Sequence, residues 1–181
     1  MKFRLVCHPL SSPGAIRAIG ADVRIEASGE VRIRYTVKGD LESLSLAEPR
    51  FPGRADNLWK TTCFELFVRP VGQTDYFEFN FSPSGEWAAY GFSDYREGMS
   101  ELTTIMPPRI MLRTLADKLE LSAFLSPGLL THWPEWEVGL SAVIQTTTGA
   151  TSYWALAHPP GRPDFHHQHC FRARLSPTVG A

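Results

Sequence analysis

Apolar and polar residues alternate along much of the chain with a period of two. In VRIRYTVK (31–38), Val31, Ile33, Tyr35 and Val37 fall on one side, while Arg32, Arg34, Thr36 and Lys38 fall on the other. That is the pattern of a strand with one wet face. The preceding ADVRIEA (21–27) sets Val23 and Ile25 inward, and the intervening Ser-Gly-Glu suits a hairpin turn. The same reasoning predicts strands at 2–7, 61–69, 75–82, 86–93, 109–115, 118–125, 136–146, 151–157 and 169–175. Breakers separate them, among them Pro52-Gly53, Pro70, Pro83-Ser84-Gly85, Pro107-Pro108, Pro127-Gly128 and Pro159-Pro160-Gly161. Helical periodicity is scarce, with short pieces expected at 13–19 and 94–101. About ten short strands joined by turns predict an all-β fold, an antiparallel β-sandwich of jelly-roll type. No repeat or composition shift divides the chain, so 1–181 reads as one domain.

Two neighbouring strands carry polar residues where apolar ones are expected. TTCFELFV places Phe64, Leu66 and Val68 on one face and Cys63, Glu65 and Phe67 on the other. DYFEFNFSP places Phe77, Phe79 and Phe81 on one face and Tyr76, Glu78 and Asn80 on the other. The short link at 70–74 makes them a hairpin. With both all-apolar faces turned to the core, Glu65, Glu78 and Asn80 share the outer face of one sheet, beside aromatic rings. Strand 86–93 adds Trp87 or Tyr90 to that face, and its phase is open. For any single Glu or Asn, an ordinary solvated position is the default reading. Grouped with aromatics, these residues suit a sugar, whose C–H face stacks on a ring and whose hydroxyls need fixed partners.

Composition acts mainly by exclusion. The net charge is −1 with scattered Lys and Arg, which leaves no electrostatic footprint for nucleic acid or an anionic bilayer. No apolar run approaches the ~20 residues needed to span a membrane. The opening MKFRLVCHPLSSPG lacks the apolar core of a signal peptide, so the cytoplasm is the expected compartment. Cys7, Cys63 and Cys170 are too few and too dispersed for a disulfide framework or a thiolate zinc site.

RADNLWKTTCFELFV, with DYFEFNFSPSGEWAAYGFSDYREGM and SYWALAHPPGRPDFHHQHCFRARL, resembles the bacterial DOMON-like proteins related to family-nine carbohydrate-binding modules. The resemblance runs from about residue 20 to residue 175 and rests on DNLW, TCFELF, FNFSPSG, WAAY and the closing HP…PDFH. It implies a β-sandwich with a ligand cleft on one sheet. In the sugar-binding relatives two Trp rings clamp a terminal sugar. Trp59 corresponds to the first, Trp154 to the second, and Glu65 to a polar residue contacting the sugar hydroxyls. The resemblance leaves room for a structural calcium, which the sequence does not locate. Other DOMON relatives bind haem through a Met and a His. Here the position of the opening aromatic is Trp59, and Met99, Met106 and Met111 fall outside that segment, so haem ligation is not expected.

Three rival readings remain. His158, His166, His167 and His169 with Asp164 crowd one segment, but their spacing fits no strong metal motif, and a Pro- and Gly-rich turn is the favoured account. Within the resemblance, the Asp and His of PDFH hold that loop in place. Glu65 and Glu78 have the residue types of a glycosidase acid–base pair, yet no nucleophile elbow or phosphate-binding loop accompanies them. A sandwich that receives a protein or peptide stays open, and the discriminating geometry is whether Trp59 and Trp154 face each other across a gap. The expectation is non-catalytic binding of a small saccharide or sugar-like molecule through Trp59, Glu65, Glu78, Asn80 and Trp154, with no metal and no cofactor.

Overall fold

The alternating segment 31–38 forms strand β3 (Val31–Gly39), with Val31, Ile33, Tyr35 and Val37 buried and Arg32, Arg34 and Thr36 between them half-buried. In this computed structural model, which describes residues 1–103, 105–130 and 132–176, β3 lies between β2 (Ile16–Ile25) and β9 (Lys118–Leu125). The edge strand β8 (Arg109–Leu115) pairs with β9. These strands and β1 (Lys2–Cys7) form the first sheet of an antiparallel β-sandwich.

The second sheet runs through β7 (Ser100–Glu101), β6 (Trp87–Phe92), β5 (Tyr76–Phe81), β4 (Cys63–Pro70), β10 (Trp136–Gln145) and β11 (Thr151–Ala155). One edge of β10 pairs with β4. Its other edge is shared, with β12 (Phe171–Leu175) on the first half and β11 on the second. Strand β1 belongs to both sheets: Lys2–Leu5 pair with β2, while Val6 and Cys7 pair with β11. The described residues form twelve strands where about ten were expected. No helix among the described residues is long and apolar enough to cross a membrane.

Neither expected helical piece forms. Ile16 and Ile19 are spaced like residues on one helical face, and both are buried, but the cause is a β-bulge. The register of β2 against β3 shifts between Ile16 and Ala18, and the extra residue turns both isoleucines inward. Opposite the bulge, a Cβ on Gly39 would lie 2.4 Å from the Ala15 carbonyl, so only glycine fits. The 94–101 segment is a tight turn, closed by Glu97 N–H donating to Asp94 O at 3.0 Å, followed by the two residues of β7.

Between the sheets, Phe64, Leu66, Val68, Phe79 and Phe81 pack with Val23, Ile33, Tyr35 and Leu121. The Tyr35 hydroxyl crosses this layer and donates to the Glu65 backbone carbonyl at 2.5 Å. Tyr35→Phe is expected to cost about 1.5 kcal/mol in urea denaturation, because a buried polar contact is lost with no water to replace it. The far face of the second sheet is buried too. Cys63, Phe67, Tyr76, Val143 and Phe171 lie beneath Leu58 and Phe165 from the covering loops. Covered on both sides, β4 needs apolar residues at almost every position.

Candidate binding site

Strand phase sets the site. Glu65 on β4 pairs across the sheet with Asn80 on β5 and Ser141 on β10, while Glu78 pairs with Phe67 and Tyr90. All of these side chains leave the sheet on the face away from the inter-sheet core. There they meet a cavity of about 740 Å³, within the range of small-molecule sites. Glu65 and Glu78 line it, with Trp59, Tyr90, Tyr153 and His166 around them. Trp59 rides on a single helical turn (Leu58–Lys60) after Asn57, whose left-handed backbone (φ 62°) reverses the chain. Its ring meets Tyr90 edge to face, with centroids 6.1 Å apart. The Tyr90 hydroxyl donates to Asp56 at 2.6 Å, and the Arg54 guanidinium stands 5.1 Å from the ring centroid.

The carboxyl groups sit at the bottom of this cavity and are only 2% and 5% exposed for Glu65 and Glu78. Ser141 Oγ donates to Glu65 Oε2 at 3.1 Å, and Asn80 Nδ2 donates to Glu78 Oε1 at 2.7 Å. Two hydrogen bonds do not compensate two buried charges. Burial, reinforced by the neighbouring Glu78 charge, raises Glu65 to about 8. Burial raises Glu78 as well, against the opposing bond from Asn80. Near neutrality the pair therefore holds a proton.

His166 stands over Glu78, its Nε2 3.7 Å from Oε2. Burial and then the Arg96 charge hold this imidazole down to about 4, so it is neutral and the contact is no ion pair. Its orientation follows from the network. The Arg96 backbone N–H donates to the Tyr76 hydroxyl at 3.1 Å, and that hydroxyl lies 2.8 Å from His166 Nδ1. The Tyr76 hydroxyl and Nδ1 share one hydrogen bond, which turns Nε2 toward Glu78.

Arg96 holds the turn before β7 against the loop that carries His166. Its guanidinium donates to Asp164 Oδ1 through Nη2 at 2.8 Å and Nε at 3.3 Å, and Tyr95 donates to Asp164 Oδ2. The His166 backbone N–H also reaches Asp164 Oδ1, at 3.2 Å. Burial works to raise the Asp164 carboxyl, but the bonds from Tyr95 and Arg96 hold it below the usual range. The Asp and His of PDFH thus fasten the loop, and His166 also forms part of the cavity wall.

Four of the five expected binding residues share this face, in different roles. Trp59, Glu65 and Glu78 line the cavity, whereas Asn80 is fully buried behind Glu78. Trp154 does not join them. It points into the core between the sheets, with Nε1 donating to Ser152 Oγ at 2.9 Å. Alternation along β11 puts Thr151 and Tyr153 on the cavity side instead. Trp59 and Trp154 therefore lie on opposite faces of the sheet and do not clamp a ligand between them. On β6, Tyr90 faces the cavity and Trp87 the core.

Met99 lines the cavity together with His166. Of the His166 ring nitrogens, Nδ1 is hydrogen-bonded with Tyr76, while Nε2 faces Glu78 at 3.7 Å. Among the described residues, no group of three or more His, Cys, Asp or Glu is arranged to hold a metal ion.

No family model matches the chain, and no curated protein matches it in sequence. Solved structures match its fold. A proposed carbohydrate-binding protein from Bacteroides uniformis aligns with a TM-score of 0.67 at 17% identity, covering 97% of this chain and 85% of that one. A family 9 carbohydrate-binding module from Caldicellulosiruptor kristjanssonii, in complex with glucose, aligns with a TM-score of 0.53 at 8% identity over 95% of this chain and 83% of that one. A family 9 module from the same organism in complex with cellotriose gives 0.56 at 8% identity, over 97% and 81%. At these identities the similarity is one of fold, the antiparallel β-sandwich.

Proposed function

We propose that this chain is a non-catalytic saccharide-binding protein of the DOMON-like and family-nine module type, and that its ligand occupies the cavity over β4, β5 and β6. The observation that carries this reading is two buried carboxyl groups, Glu65 and Glu78, at the floor of an open cavity walled by Trp59, Tyr90 and Tyr153. Such a floor accepts hydroxyl hydrogen bonds, and such walls stack on C–H faces. The sugar complexes among structures of similar fold support it. In this reading Trp59 supplies the stacking surface at the rim, where it is 37% exposed. Tyr153 takes the place expected of Trp154, and Asn80 orients Glu78.

Titration with mono- and oligosaccharides, followed by tryptophan fluorescence, tests the proposal. A bound sugar is expected to change the emission, and Trp59→Ala is expected to weaken binding by about thirtyfold, or about 2 kcal/mol. Trp133, comparably exposed but not part of the cavity wall, is the control. If no sugar alters the emission, or if Trp59→Ala binds as tightly as the parent, the stacking site is elsewhere or absent.

A further inference from the structure

The cavity floor has a chemical bias that a neutral sugar leaves unused. Of the four carboxyl oxygens of Glu65 and Glu78, Ser141 and Asn80 satisfy one each at hydrogen-bond distance. A third, Glu78 Oε2, has only His166 Nε2 at 3.7 Å. Among the described residues no Lys or Arg forms an ion pair with either carboxyl. Two cations line the cavity: Arg96, whose guanidinium pairs with Asp164 while its charge also acts on both carboxyls, and the exposed Lys60 on the single turn that carries Trp59. Aromatic faces surround the remaining space: Phe67, Tyr90, Phe92 and Trp59 all line it. Two adjacent carboxyls that no Lys or Arg touches directly, beside aromatic surfaces, make a receptor for an ammonium group.

We infer that the ligand is a saccharide bearing a free amino group, whose ammonium nitrogen seats between Glu65 and Glu78. This inference rests on the saccharide reading above and specifies its substrate class. The ammonium donates to the carboxyl oxygens that lack a short protein donor and takes over the role of the proton the pair holds when empty. Both carboxyls are then ionised, and one proton leaves to solvent for each ligand bound in the pH window where the empty pair holds a single proton. The other titratable groups around the pair do not supply that proton near neutrality. His166 is already neutral, Cys63 and Tyr90 are pushed up by burial, and Tyr76 likewise. Arg96 remains charged against Asp164.

Isothermal titration calorimetry of the intact chain tests this with glucosamine, galactosamine and mannosamine, each beside its parent hexose and its N-acetyl derivative. At pH 6.5 at least one amino sugar is expected to bind tenfold or more tighter than both of its neutral counterparts. Its binding heat should vary with the ionisation enthalpy of the buffer as the release of close to one proton requires. Glu65→Gln, which preserves the shape of the side chain, should bring the amino-to-neutral affinity ratio toward one. Equal affinities within each set, with no proton released, overturn the amino-sugar assignment and leave saccharide binding standing. Binding by none of the sugars overturns both.

Discussion

Replacing Phe64 by alanine is expected to lower the unfolding free energy by about 3–5 kcal/mol, seen as a reduced urea midpoint at unchanged slope. The side chain is fully buried, and its ring lies 5.1 Å from that of Tyr35 in the layer between the sheets. The site cannot collapse to fill the gap, because β4 is held on one edge by β5 and on the other by β10. The void left by the ring therefore persists and adds to the lost transfer energy. Phe51, 94% exposed on the 46–53 loop, is the matched control, and its replacement by alanine should change stability by less than about 0.5 kcal/mol. A loss below about 1 kcal/mol at Phe64 would mean that the inter-sheet layer is not packed as described.

The second large effect is on the pH dependence of stability, and Glu65 sets its sign. Its carboxyl is raised from 4.5 to about 8, so the folded protein holds a proton that the unfolded chain gives up. That contribution is complete below 4.5 and lost as the pH climbs toward 8. His166, lowered from 6.5 to about 4, works in the other direction: its contribution is present above 6.5 and lost as the pH falls toward 4. The two oppose each other between 4.5 and 6.5, and Glu65 acts unopposed from 6.5 to 8. Glu78, raised in the same direction, adds to the decline. Stability is expected to fall by about 2 kcal/mol between pH 6.5 and 8, at about 1.4 kcal/mol per unit. Glu65→Gln, which has no proton to lose, should flatten that decline. Parallel profiles for parent and variant would show that the carboxyl is already ionised in the folded state.

How far the sequence anticipated this arrangement depends on which interactions set each element. Strands β3, β4 and β5 were legible because alternation was clean and each had a face of a single kind, as with Phe77, Phe79 and Phe81. From those faces Glu65 and Glu78 could be placed together. Strand β11 was not legible in the same way. In TSYWA, either phase offers one aromatic and one hydroxyl residue, so Trp154 and Tyr153 were interchangeable until neighbouring strands fixed the pairing. The bulge in β2 gave its isoleucines a helical spacing, and no local signal distinguishes the two causes. Arg96 and His166 escaped notice as site residues for another reason. They come from separate loops and become part of the wall only through Asp164 and Tyr76, contacts that tertiary structure alone creates.

The shared edge of β10 has a consequence for the order in which the molecule is completed during synthesis. Residues 63–92 emerge from the ribosome as a three-stranded meander carrying Glu65 and Glu78, with one edge of β4 waiting for a partner that begins at Trp136. When β10 arrives, its far edge still lacks β11 and β12, which close it only at the end of the described chain. Asp164, which ties down Arg96, follows that arginine by 68 residues. A nascent chain thus carries an acidic, aromatic-lined sheet with an open edge from the completion of β6 until the last strands arrive, a surface open to wrong pairing. Competence to hold a ligand in this cavity arrives with the last strands, so binding would report that the sandwich itself has closed.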